Sequence, residues 1–178
     1  MLLDASEDTL MARYADGEDR AVGELFDRFA PRVLAFLRCR HSEQQAEQFL
    51  LSTFVQLHRL RNTYSRGSPA RAWVLCIAAD VQRREARRVR WLQPPRAQHT
   101  LTSAAAESQH DRMLREAFAQ LPDLDRQLLH LHRFEGLSFA EIAQVLGASE
   151  AVIRARATRA YRQLRARLLS LMSDGGRS

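Results

Sequence analysis

The chain has 178 residues, 27 of them basic and 21 acidic, for a net charge of +6 and a pI near 10.5. That length allows one domain or two small ones, and the positive balance favours a polyanionic partner. Every basic residue is an arginine, which a compositional bias explains without any functional meaning.

The longest apolar runs fall far short of a membrane span and no signal peptide opens the chain, so a cytoplasmic protein with no membrane partner is expected. Cys39 and Cys76 lie inside predicted helices without CxxC spacing and are expected as reduced thiols. His58, His99, His110, His130 and His132 do not form a metal-ligand spacing with cysteines or acids, and no Gly-rich phosphate loop occurs. Neither catalysis, metal nor cofactor is therefore expected.

In chain order, Asp4 to Asp16 reads as a short amphipathic helix with Leu10, Met11 and Tyr14 on one side, broken by Asp16-Gly17. A second helix runs from about Arg20 to Arg40, with a kink or break expected at Pro31. Ser42 and Gln45 read as a capping box opening a third helix to about Leu60. Asn62 to Pro69 is turn-rich. From Ala70 a fourth helix carries Trp73, Val74, Ile77, Ala78 and Val81, then turns basic at Arg83, Arg84, Arg87, Arg88 and Arg90. These four stripes can bury a core of their own, so residues 1–92 are expected as one domain. Tyr64 reads equally as a loop residue covering core or as a base-stacking group; Trp73 reads as a core anchor.

Residues 93–109 hold a Pro-Pro pair and small polar residues without periodicity, the pattern of a flexible linker. A second domain spans 110–173. Its first helix ends at Pro122, and Asp123 or Asp125 starts the next, with Leu128, Leu129, Leu131 and Phe134 expected to be buried. Ser138 with Glu141 then forms a capping box, followed by Phe139, Ile142, Ala143, Val145 and Leu146 at helical spacing. Gly147 stops that helix and Ser149 caps the last one. Two helices joined so tightly make a helix-turn-helix. On the last helix Ile153, Ala157, Ala160, Leu164, Leu168 and Leu171 fall on one stripe, at about 100° per residue. Ala155, Thr158, Arg159 and Arg162 lie opposite, with Arg154 and Arg165 at the flank. Small residues and arginines facing outward suit a DNA major groove. With no period-two pattern anywhere, the fold class is all-α: two small helical domains, a flexible linker, and a C-terminal helix-turn-helix.

Leu121 to Leu168 resembles the C-terminal domain of extracytoplasmic-function sigma factors in its LP start, its EGLS-x-x-EIA core, its G-x-S turn and its R-x-R-x-x-R-A run. FDRFAPRVLAFLR, AEQFLLSTFVQLHRL and RAWVLCIAADVQRREARR resemble that family's first domain in order and spacing. The resemblance implies a transcription initiation factor whose partners are RNA polymerase core and promoter DNA, double-stranded and melted, with an anti-sigma protein as a frequent further partner. It implies that Ser149, Arg154, Ala155, Thr158, Arg159 and Arg162 face the minus-thirty-five element, with His132 or Arg133 on its backbone. It implies minus-ten contacts from Tyr64, Ser65 and Arg66 in the loop and from Arg83, Arg84, Arg87 and Arg88. Polymerase binding falls on Glu47, Gln48, Leu51, Ser52 and Phe54.

That last helix departs from the family pattern A-E-D-x-x-Q-E-x-F. Gln48 stands where the aspartate is usual, Leu51 where the glutamine is and Ser52 where the second acid is. Asp80 and Arg84 replace an asparagine and an aspartate on the fourth helix. Two functions follow: a sigma factor that directs polymerase to specific promoters, or a sigma-like regulator with weakened polymerase binding, acting on DNA alone or as an anti-sigma decoy.

Overall fold

The computed structural model describes residues 5–90 and 109–174, and every regular element among them is helical. α1 (Glu7–Ala15), α2 (Ala21–Arg38), α3 (Glu43–Leu60) and α4 (Ala70–Arg90) come first, with a 3-10 turn at Arg61–Thr63. α5 (Gln109–Ala119), α6 (Asp123–Arg133), α7 (Phe139–Leu146) and α8 (Glu150–Asp174) follow. The expected linker, 93–109, lies outside the described residues except for Gln109, which already opens α5. Trp91 and Leu92 lie outside them too.

Local signals set the helix starts. Ser6, Ser42 and Ser138 are extended N-caps whose hydroxyls accept the N–H of Thr9, Gln45 and Glu141, satisfying donors that the first turn leaves open. The full capping box forms at Ser138, where the Glu141 carboxylate accepts the Ser138 N–H at 2.8 Å. At Ser42 the expected return arm is replaced: Gln45 Oε1 takes the Ser42 hydroxyl at 3.4 Å. Of the kink or break expected at Pro31, the break does not occur, and α2 runs through it. The proline ring faces solvent, while Phe29 and Val33 on either side are buried and hold the helix through the missing hydrogen bond.

α2 packs on α1, α3 and α4, around Tyr14, Leu25, Phe29, Phe36, Leu57 and Leu75. Burying each such side chain contributes about 1.5–3 kcal/mol. In the second half α8 packs on α5, α6 and α7 over Leu128, Leu131, Ile142, Val145, Ile153 and Ala157.

The two groups meet where α4 lies on α7 and α2 on α6. Polar side chains tie this seam. Arg126, 4% exposed, donates Nε and Nη2 to the Cys39 carbonyl at 3.1 and 2.9 Å. Its Nη1 reaches the Leu121 carbonyl at 2.6 Å, so the buried guanidinium is well satisfied. Gln127 Nε2 donates to Gln82 Oε1 at 3.1 Å, and Arg83 Nη1 to the Val145 carbonyl at 3.0 Å. Buried Glu135, just after α6, faces Arg32 at 3.2 Å, and its carbonyl accepts Arg71 Nη1 at 2.8 Å. Burial pushes the Glu135 carboxyl up, but His130 and Arg32 beside it outweigh that and hold it below the ordinary carboxylate range.

Candidate DNA and polymerase interfaces

The turn between α7 and α8 is built as its residues dictate. Gly147 adopts φ +69°, a left-handed conformation that a Cβ disfavours, and closes α7. Ser149 Oγ accepts the Val152 N–H at 3.4 Å and starts α8 two residues later. On α8, Ile153, Ala157 and Ala160 are buried and Leu164, Leu168 and Leu171 half-buried. Arg154, Ala155, Thr158, Arg159, Arg162 and Arg165 are exposed together. This is an exposed basic face with small residues between its arginines, the shape a major groove admits.

Three neighbours hold Arg154. Glu150 Oε1 accepts its Nε at 2.9 Å and its Nη2 at 2.5 Å. The guanidinium lies over the Phe139 ring, 5.1 Å from the centroid. His132 stacks on the same ring at 4.6 Å, and its Nδ1–H donates to the Leu137 carbonyl at 3.1 Å. His132, expected on the DNA backbone, is therefore half-buried and engaged inside the helix-turn-helix. Arg133 is exposed on the same helix. Thr158 Oγ1 donates to the Arg154 carbonyl at 3.1 Å, and Arg167 Nη1 to Gln120 Oε1 at 2.5 Å.

The residues expected on melted DNA are not all brought together. Tyr64 is buried, its ring 5.3 Å from that of Trp73, and its hydroxyl donates to the Ser68 carbonyl at 2.5 Å. Burial pushes that hydroxyl's pKa up. Tyr64 thus closes the loop over the core, while Ser65 and Arg66 stay exposed and Arg66 pairs with Asp16. Arg83 points into the seam, Arg84 pairs with Asp80 at 2.6 Å and Arg88 with Glu85 at 3.0 Å. Arg84, Arg87 and Arg88 are exposed.

On α3, Glu47, Gln48, Leu51 and Ser52 lie on the exposed side. Leu51 is 61% exposed, and Val55, one turn on and overlooked in the sequence, is 53% exposed. Its signal was the i+4 spacing from Leu51. Ser52 Oγ donates to the Gln48 carbonyl at 3.0 Å and so turns back on its own helix. Phe54 is half-buried, its ring 4.6 Å from that of Phe26, which is itself 39% exposed. The face is apolar at its centre and carries one acid, Glu47, at its edge.

Both cysteines are free, and burial pushes the Cys39 thiol up to about 12, so it stays protonated. Among the described residues no helix is long and apolar enough to cross a membrane, and no group of His, Cys, Asp and Glu could hold a metal ion.

Known proteins resemble this chain over most of its length. The family model described as Sigma-70, region 4 matches residues 111–164. The RNA polymerase sigma factor CarQ of Myxococcus xanthus is 34% identical over 162 residues, covering 87% of this chain and 93% of CarQ. The RNA polymerase sigma-H factor of Pseudomonas aeruginosa is 25% identical, covering 98% of this chain and 100% of that protein. The sigma factor RpoE of Bartonella quintana, solved with the anti-sigma factor NepR, matches in fold with a TM-score of 0.70. That match is 20% identical and covers 82% of this chain and 95% of RpoE. With a relative of this identity spanning nearly its full length, the chain belongs to the extracytoplasmic-function group of RNA polymerase sigma factors.

Proposed function

We propose that this chain is a working transcription initiation factor, which docks on RNA polymerase core through α2 and α3 and directs it to specific promoters. The outer face of α8 reads the upstream element. Arg66 and Ser65 on the loop, with Arg84, Arg87 and Arg88 on α4, attend the melted strand. The protein acts by binding in the cytoplasm and makes no covalent change. An anti-sigma protein as a further partner is consistent with the RpoE–NepR complex.

The observation that carries this reading is the sorting of α8: its apolar stripe is buried and Arg154, Ala155, Thr158, Arg159 and Arg162 are jointly exposed. Arginines on such a face neutralise phosphates and pair with guanine edges. On α3, apolar contact at Leu51 and Val55 takes the place of the family's charges, with Glu47 at the edge.

A second reading, a regulator that has lost polymerase binding, is favoured by Ser52, whose hydroxyl is turned to the Gln48 carbonyl and offers the surface no charge. Affinity for polymerase core separates the two. Nanomolar binding of the native protein, weakened by Leu51→Gln alone, supports the initiation factor. No detectable binding, restored by Gln48→Asp, Leu51→Gln and Ser52→Glu together, contradicts it and leaves the regulator.

A further inference from the structure

The side chain of Arg154 is 63% exposed, yet most of its freedom is already taken up. A free arginine on a helix surface samples many rotamers, and ordering it at a binding site costs entropy. Here the side edge, Nε with one hydrogen of Nη2, is closed by Glu150 Oε1. The Arg154 Cζ sits over the Phe139 ring, 5.1 Å from the centroid. Phe139 in turn is held by His132, whose ring stacks on it and whose Nδ1–H is fixed by the Leu137 carbonyl. One edge remains open, the outer pair formed by Nη1 and the second hydrogen of Nη2. That end-on pair is the one that fits guanine, one N–H to O6 and one to N7.

We infer that Phe139, His132 and Glu150 are positioning residues which fix Arg154 with a single open edge, and that this edge takes a guanine of the upstream element. The inference rests on the proposed reading of DNA by α8 and adds to it which arginine reads a base and what holds it ready. The neighbouring arginines of the face, Arg159 and Arg162, lack such a frame and serve the phosphates. Glu150 has a second effect. Its carboxylate repels phosphate and lowers binding to specific and random duplex alike, so only its hold on Arg154 affects discrimination.

The test uses the full chain assembled with polymerase core. The holoenzyme selects its upstream element from a randomised duplex, and each guanine of that element is replaced singly by 7-deazaguanine, which lacks the N7 acceptor but keeps O6 and base pairing. In the native protein one guanine should respond with a loss of at least about fivefold in affinity. The response should vanish in Arg154→Ala, fall to less than half in Phe139→Leu and return in Phe139→Tyr, with random-duplex affinity unchanged in both Phe139 variants. A purely structural Phe139 would lower all duplexes together. Glu150→Gln, which leaves the core untouched, should raise random-duplex binding and narrow the specific-to-random ratio, whereas a charge effect alone would raise both equally. An undiminished response in Arg154→Ala, or in both Phe139→Leu and Glu150→Gln, overturns the inference while leaving promoter reading intact. Failure to select any element sinks the proposed function itself, and this inference with it.

Discussion

Arg83 of α4 donates to the carbonyl of Val145 in the last turn of α7, 3.0 Å away. A cation there meets the negative end of the α7 dipole and one of the carbonyls that a helix C-terminus leaves open. The arginine that the family resemblance assigns to melted DNA thus anchors the helix-turn-helix to the first half of the chain. Arg83→Ala should lower stability by about 1 kcal/mol, read by urea unfolding. Arg87→Ala, exposed and outside the seam, should stay within about 0.5 kcal/mol of the native protein. Equal effects of the two would show that the Arg83 contact contributes nothing.

Glu135 gives the seam a pH dependence whose sign is fixed. Its carboxyl is held below the ordinary value of 4.5 by His130 and Arg32, against the opposing effect of burial. A depressed carboxylate stabilises the fold fully above the unfolded value and loses that contribution as pH falls through the folded one. Unfolding free energy measured from neutral pH downward should therefore drop as pH falls from 4.5. Glu135→Gln should flatten that drop and lower stability near neutrality by about 1–3 kcal/mol. An unchanged slope in the variant would remove Glu135 from the account.

Leu51 and Val55 make opposite demands on stability and docking. Both are exposed, so Val55→Asp should shift unfolding by under about 0.5 kcal/mol. Its affinity for polymerase core should nevertheless fall roughly tenfold or more, since burying an aliphatic side chain of this size is worth about 1.5 kcal/mol or above. Titration of labelled variants against core measures this. Undiminished affinity would place the docking face elsewhere.

Arginines along α8 differ in what they engage. Arg159→Ala and Arg162→Ala should weaken specific and random duplex alike and each reduce the salt slope of binding by about 1. Arg167→Ala should leave that slope unchanged, because its guanidinium is directed to Gln120 of α5. Binding measured across a salt series distinguishes these variants, and an equal slope change for all three would contradict the division.

The helix-turn-helix was legible because its signals are local: Ser138 and Glu141 three residues apart, Gly147 at the stop, Ser149 at the restart, and a buried stripe on α8 with the right period. The seam was not. Asp125 to Leu131 are all buried, since α6 is covered by α2 on one side and α8 on another, and a periodic pattern cannot mark Arg126 and Gln127 as interior residues. Their partners are the Cys39 carbonyl and Gln82, far away in the chain. His132 and Tyr64 could not be placed from sequence for a related reason: an amphipathic ring looks the same in sequence whether its polar atom meets DNA or a nearby carbonyl. At Pro31 the sequence left kink and break open, and buried neighbours on one face carry α2 through without a break.

The central claim is that this chain brings polymerase to promoters by reading DNA with α8. Run-off transcription in vitro, with polymerase core, the native protein and a template carrying the selected upstream element, tests it directly. Initiation at one fixed start that needs the protein, that is abolished when the upstream element is scrambled and reduced when Arg154 is replaced by Ala, is the predicted result. No transcript above that of core alone, on any template bearing the selected element, would contradict the account.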